Sequence, residues 1–250
     1  IAKEIIIPIK QKLKEKMIIL ERTQTTENGI TVEDYPIAIH SESENVLDLL
    51  RQRKENENMT VTHRFSTNGE YAIVNIQRPL NPSTNEKKEV AQQFNSNGRD
   101  FYFRAAIIFN RSPRHYYILM KMSEKIYFVI DDTKSTSEEI DKGQATSLLK
   151  EESVFLLYTL NKDPTENETK MIEILKSRNA NSNCHTHALF GLFVIMGIKE
   201  AESVFTEVKS NFNYEQCNNR IQRILRLLQR RTTGRDDPAE ILEAIYNYEY

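Results

Sequence analysis

Arg114-His115-Tyr116-Tyr117-Ile118-Leu119-Met120-Lys121, the break Met122-Ser123-Glu124, and Lys125-Ile126-Tyr127-Phe128-Val129-Ile130-Asp131 decide how this chain is read. Both flanking runs are rich in β-branched and aromatic residues, and the break between them is hairpin-sized. They predict two antiparallel neighbours with a histidine at the head of the first strand and an aspartate at the foot of the second. Adjacent strands lie about 4.8 Å apart, so these two side chains come within hydrogen-bond reach. An aspartate accepting from one ring nitrogen fixes the tautomer and leaves the other nitrogen to take a proton.

Working outward, Tyr71 to Arg78, Phe101 to Asn110 and Val154 to Leu160 also read as strands. Arg111-Ser112-Pro113 marks a second short turn, and the succession implies an antiparallel meander. One helix is predicted near Val46 to Lys54, with Val46, Leu47, Leu49 and Leu50 on one side. Asn161 to Thr169 is polar and reads as a surface linker, after which the chain turns helical. Ala188 to Gly197 is apolar nearly all round, the pattern of a buried helix. Tyr214 to Arg230 is amphipathic, with Ile221, Ile224, Leu225, Leu227 and Leu228 opposite Arg223, Arg226 and Arg230. A last helix starts at Asp237 as N-cap, with Pro238 first and Glu240 third. The expected class is α+β: a β-rich lobe over 1–160, a linker over 161–177 and a helical lobe over 178–250.

The 250 residues carry 28% charged side chains and a net charge of −2. This balance argues against nucleic acid as the main partner, because a phosphate-binding face shows as a basic excess. The Arg-rich stretch from Arg220 to Arg235 is offset by acidic ones such as Glu42 to Glu44 and Glu138 to Asp141. The longest apolar run, Ala188 to Ile198, is too short to span a bilayer. No signal-peptide pattern opens the chain. Two cysteines, Cys184 and Cys217, make neither a disulfide framework nor a four-cysteine zinc site, so a reducing compartment, cytosolic or nuclear, is expected. Cys184-His185-Thr186-His187 offers three ligating side chains, but no second cluster completes a site, and His40 and His63 stand alone. Neither a metal nor a cofactor is expected.

The third chemical piece is Asn179-Ala180-Asn181-Ser182-Asn183-Cys184, followed directly by the apolar helix. A cysteine at a helix N-terminus feels the positive end of the dipole, which favours the thiolate. An upstream asparagine amide can donate to a developing oxyanion. Cys184 as nucleophile, His115 as base, Asp131 as orienter and Asn179 as oxyanion donor are the parts of a cysteine protease. Against this stand the plainer readings: Cys184 and Cys217 as core residues, His115 as a half-buried strand histidine and Asp131-Asp132 as a turn.

These stretches resemble the ubiquitin-specific-protease family. Ile76-Gln77-Arg78-Pro79 is similar to its strand ending in leucine-lysine-arginine-phenylalanine, and His115-Tyr116 to its glycine-histidine-tyrosine box. Tyr127-Phe128 to Asp131-Asp132-Thr133-Lys134 resembles its aromatic-x-phenylalanine-aspartate-aspartate-serine-lysine run, and Val154 to Tyr158 its closing strand. Tyr35 to Ile39 and Val46 to Leu50 are similar to its short strand before a helix. The cysteine box matches more loosely: Asn181, Ser182, Asn183 and His185 replace the family's glycine, asparagine, threonine and tyrosine. The resemblance implies a papain-like fold with a palm and a thumb-like helical lobe, and catalytic roles for His115 and Asp131. It also implies ubiquitin or a ubiquitin-like protein as partner, met by Tyr116, Arg114 and Asp132. A larger protein assembly is the setting of the rival reading, a degenerate module that binds without cleaving. Arg114 motivates that rival, since it stands where the family has glycine.

The order of the boxes departs from the family, in which the cysteine box comes first. A circular permutation jointed near Asn161 to Thr169 explains this, as does a chain holding the end of one domain and the start of another. The adenoviral- and SUMO-protease class has the histidine-aspartate-cysteine order. It expects a glutamine before the cysteine and a glycine after it, where Arg178 or Asn179 and His185 stand. The permuted reading is adopted, because each half alone lacks what completes the other.

Overall fold

The computed structural model describes residues 2–35, 38–40, 53–56, 58–66, 68–76, 87–131, 133–134, 137–176, 184–202, 223–224, 226–228 and 238–249. A π-helical turn, Ala2–Ile6, leads into helix α1 (Ile7–Lys16). Strands β1 (Leu20–Thr26), β2 (Gly29–Tyr35), β3 (Ala38–His40), β4 (Arg53–Asn56), β5 (Met59–Phe65) and β6 (Tyr71–Ile76) follow. Next come β7 (Gln93–Ser96), β8 (Arg99–Arg111), β9 (Arg114–Lys121), β10 (Ile126–Ile130) and β11 (Glu138–Asp141). Helix α2 (Lys142–Glu152) and strand β12 (Ser153–Thr159) precede helices α3 (Glu166–Lys176), α4 (Cys184–Ile195) and α5 (Pro238–Tyr246).

The larger sheet runs β11-β10-β9-β8-β12-β6-β3, with β7 also paired to β8. From β8 to β11 it is the meander that the short turns predict, antiparallel at each step. β12 then returns between β8 and β6, antiparallel to both. Phe103 to Ile108 are all buried, so the centre of β8 is covered on both faces. That is why it reads as a near-continuous apolar run, interrupted by Arg104, rather than as an alternation. The smaller sheet, β2-β1-β5-β4, is antiparallel, and its edge strand β2 exposes Ile30 and Val32.

Pleating sorts the larger sheet's side chains into two cores. On one face Ile107, Ile118, Met120, Phe155 and Leu157 meet Phe190 and Phe193 of α4, with Ile9 and Leu13 of α1 and Ile241 and Leu242 of α5. On the other, Phe103, Leu119, Tyr127 and Tyr158 pack with Ala145 and Leu149 of α2. Every residue of α4 from His185 to Ile195 except His187 is buried, as its all-round apolar pattern predicts. α1 and α5, from opposite ends of the sequence, pack together: Lys10 Nζ donates to the Tyr248 carbonyl, and Lys14 lies over the Tyr246 ring. One apolar core therefore joins residues of the segments 1–160 and 178–250.

Three helices depart from the sequence reading. The segment 161–177, read as a linker, carries α3 over eleven residues. Its start is a capping box: Glu168 N–H donates to Thr165 Oγ1 at 3.2 Å, and Thr165 N–H to Glu168 Oε2 at 2.7 Å. Glu168 is then buried, with Oε2 3.4 Å from Nε of the equally buried Arg104. α1 and α2 were not anticipated either, although α2 opens on a full capping box of Asp141 and Gln144. Most of the expected 46–54 helix lies outside the described residues, and Arg53 and Lys54 belong to β4. Of the 214–230 helix, 223–224 and 226–228 are described and helical, with Ile224 and Leu228 buried and Arg223 and Arg226 exposed. α5 begins at Pro238 as expected, while Asp237 lies outside the described residues, as does Cys217.

Candidate active site

The β9–β10 register pairs Ile118 with Ile130, which sets His115 near the residue that follows β10. His115 Nε2 meets Asp131 Oδ1 at 2.7 Å, both side chains being largely buried at 15% and 11% exposure. The same oxygen accepts from the Thr133 amide at 2.9 Å and from the Thr133 hydroxyl at 2.7 Å. Burial alone pushes the Asp131 carboxyl up, but the two Thr133 donors and His115 outweigh it, and the group is held below the ordinary carboxylate range. Asp131 is therefore an anion at neutral pH and accepts from Nε2–H. That assignment, made from the hydrogen-bond partners, makes Nδ1 the basic nitrogen of the neutral ring.

Cys184 is the first residue of α4 and is half-buried. α4 packs on β9, and the point of contact is specific. The Tyr116 ring lies edge-on to the His185 ring, centroids 6.4 Å apart at 73°. Behind it Phe109 of β8 stacks on Tyr116 at 4.6 Å. The residue after His115 thus touches the residue after Cys184, which brings the N-terminus of α4 over the start of β9. The structure assembles the His115–Asp131 pair, and the helix that Cys184 opens packs on the strand that carries His115.

The remaining expected residues are distributed unevenly. Arg114 is exposed at the head of β9, opposite Arg111. Tyr116 is half-buried between Phe109 and His185. Asp132 and Asn179 lie outside the described residues. Among the described residues no three His, Cys, Asp or Glu side chains are grouped as a metal site requires.

Sequence reading missed Thr133, although an aspartate followed two residues later by threonine is a recognisable local turn. It also missed Tyr117 and Glu152. Their pairing across 35 residues follows from α2, which has no counterpart in the sequence reading.

No family model matches the chain, and none of the curated proteins does. Among solved structures it is similar to the SAGA Ubp8/Sgf11/Sus1/Sgf73 DUB module, at 12% identity and a TM-score of 0.44, over 59% of this chain and 39% of that one. It is likewise similar to the SAGA DUB module bound to monoubiquitin, at 12% identity and a TM-score of 0.45, over 60% of this chain and 42% of that one. A structure of the yeast SAGA DUBm with a mutant Sgf73 gives 12% identity and a TM-score of 0.44, over 59% and 39%. The chain spans about two fifths of the length of these structures' matched chains.

Proposed function

We propose that this chain is a cysteine protease that cleaves after the C-terminal glycine of ubiquitin or a ubiquitin-like protein. The observation that carries the reading is the His115–Asp131 hydrogen bond at the head of β9, with Cys184 opening the helix packed on that strand. In the proposed reaction His115 takes the Cys184 thiol proton and the sulfur attacks the carbonyl carbon of the glycine itself. The carbon–nitrogen bond breaks, the proton passes to the leaving amine, and water hydrolyses the thioester. Asn179 is assigned to the oxyanion. Tyr116, Arg114 and Asp132 are assigned to the substrate tail, and acidic residues of the β lobe suit its basic character. The cytosol or nucleus is the proposed location.

Circular permutation belongs to the same proposal, since it accounts for a cysteine box that follows the histidine box.

A second reading has one observation of its own. Arg114, where the resembling family has glycine, is exposed at the head of β9 next to His115, and a long charged side chain there would crowd a narrow passage for the glycines of the substrate. A degenerate module that holds ubiquitin within a larger assembly fits that side chain. A ubiquitin probe with a cysteine-reactive C-terminus separates the two. The protease reading expects labelling that disappears in Cys184→Ser, and a His115→Ala rate reduced by roughly 10²–10⁴-fold. Folded protein that binds ubiquitin but never labels overturns it in favour of the module.

A further inference from the structure

His115 has a second neighbour besides Asp131. Tyr117, two residues on along β9, packs against the core that α2 covers. The His115 and Tyr117 rings lie nearly parallel, with centroids 6.2 Å apart and planes at 25°. The Tyr117 hydroxyl reaches Oε2 of Glu152, the last residue of α2, at 3.4 Å. We propose that Tyr117, tethered by Glu152, is a positioning residue for His115. It flanks the imidazole so that Nε2 stays on Asp131 and Nδ1 stays the basic nitrogen.

Two features separate this from ordinary core filling. A phenylalanine would fill the same space, yet the hydroxyl ties the ring to the C-terminal end of α2. The hydroxyl also remains a neutral donor. Burial raises its pKa first, and Glu152 of α2, Asp131 after β10 and Glu138 of β11 push it further in the same direction. Lys134, in the turn after Asp131, is engaged by Glu138 at 2.7 Å and also feels Asp131. Around neutral pH the Tyr117 hydroxyl does not change charge. What it restricts is rotation of a ring that Asp131 grips at one atom.

The catalytic meaning of this role rests on the protease reading, but the orientation itself does not, so the test reads orientation. ¹⁵N-histidine spectra of the full chain report the tautomer of His115, assigned by its loss in His115→Gln. The wild-type neutral ring should show one tautomer, with the proton on Nε2. Glu152→Gln and Tyr117→Phe should admit a visible fraction of the other form, and Tyr117→Leu should give a mixture. A single unchanged tautomer in folded Glu152→Gln and Tyr117→Phe overturns the proposal, whether or not Tyr117→Leu folds. With an active chain, Tyr117→Phe should lower kcat several-fold and leave KM unchanged. A chain that never labels with the ubiquitin probe sinks the protease reading, while the tautomer spectra still decide this one.

Discussion

The rings of Tyr116 and His185 meet edge-on at 6.4 Å, joining the strand that carries His115 to the helix that Cys184 begins. The two halves of the candidate site are therefore held together by their immediate neighbours in sequence. An aromatic pair of this kind contributes about 0.5–1.5 kcal/mol beyond its buried area. Tyr116→Ala and His185→Ala should each destabilise the chain. Their double mutant should fall short of the sum by about that coupling, as read from urea unfolding. Strict additivity would show that the ring contact does not hold α4 on β9.

The carboxyl of Asp131 should titrate below the ordinary aspartate value of about 3.9. Because its folded pKa is depressed, its stabilising contribution is complete above that ordinary value and is lost as pH falls through the lower, folded one. Thr133→Ala removes the hydroxyl donor and leaves the amide. Carboxyl ¹³C titration should then move upward, and stability at pH 7 should drop by about 1 kcal/mol. No movement of the Asp131 titration would remove Thr133 from the site.

Arg104 and Glu168 form an ion pair almost entirely out of water, with Arg104 Nη2 donating to the Asn161 carbonyl at 2.8 Å. Burial pushes the Glu168 carboxyl up, and Arg104 pulls it back. Removing one partner strands the other charge. Arg104→Met should therefore cost about 3–5 kcal/mol, whereas Arg104→Met combined with Glu168→Met should recover much of that loss. Chemical denaturation of the three variants measures it. A double mutant as unstable as the sum would mean that the charges do not compensate one another.

Gly69 has φ +94°, and a Cβ there would stand 2.5 Å from the backbone carbon and oxygen of Met17. The approach is enforced by the Glu70 amide bonding to the Lys16 carbonyl and the Ile18 amide bonding to the Tyr71 carbonyl. Gly69→Ala should cost at least about 1–3 kcal/mol, visible as a lowered Tm at roughly 2–4 °C per kcal/mol. An unchanged Tm would show that the end of α1 moves freely relative to β6.

The meander was legible because its strands are apolar on both faces and its turns are short, so the pattern from Phe101 to Asp131 has one sensible folding. His115 and Asp131 were legible for the same reason, since hairpin geometry fixes who meets whom. α1, α2 and α3 were not, because each is short, rich in charge and helical mainly through docking, with capping added in α2 and α3. Glu168 shows why: its sequence neighbourhood is polar, and only the fold reveals that Arg104, distant in sequence, awaits it in the interior. Tyr117 and Glu152 were missed similarly, their relationship existing only once α2 is laid across the sheet.

The insertion of β12 between β8 and β6 has a consequence for how the chain acquires its fold. The sheet's two inner neighbours cannot be bridged until residues 153–159 arrive, many positions after β6 has been made. Such non-local pairing raises contact order and slows folding. Until it occurs, β6 and β8 each present an open, strongly apolar edge, a template for pairing with other chains. During synthesis the interval between β6 and β12 is thus when the chain is most exposed to aggregation, and holding chaperones would act on it there.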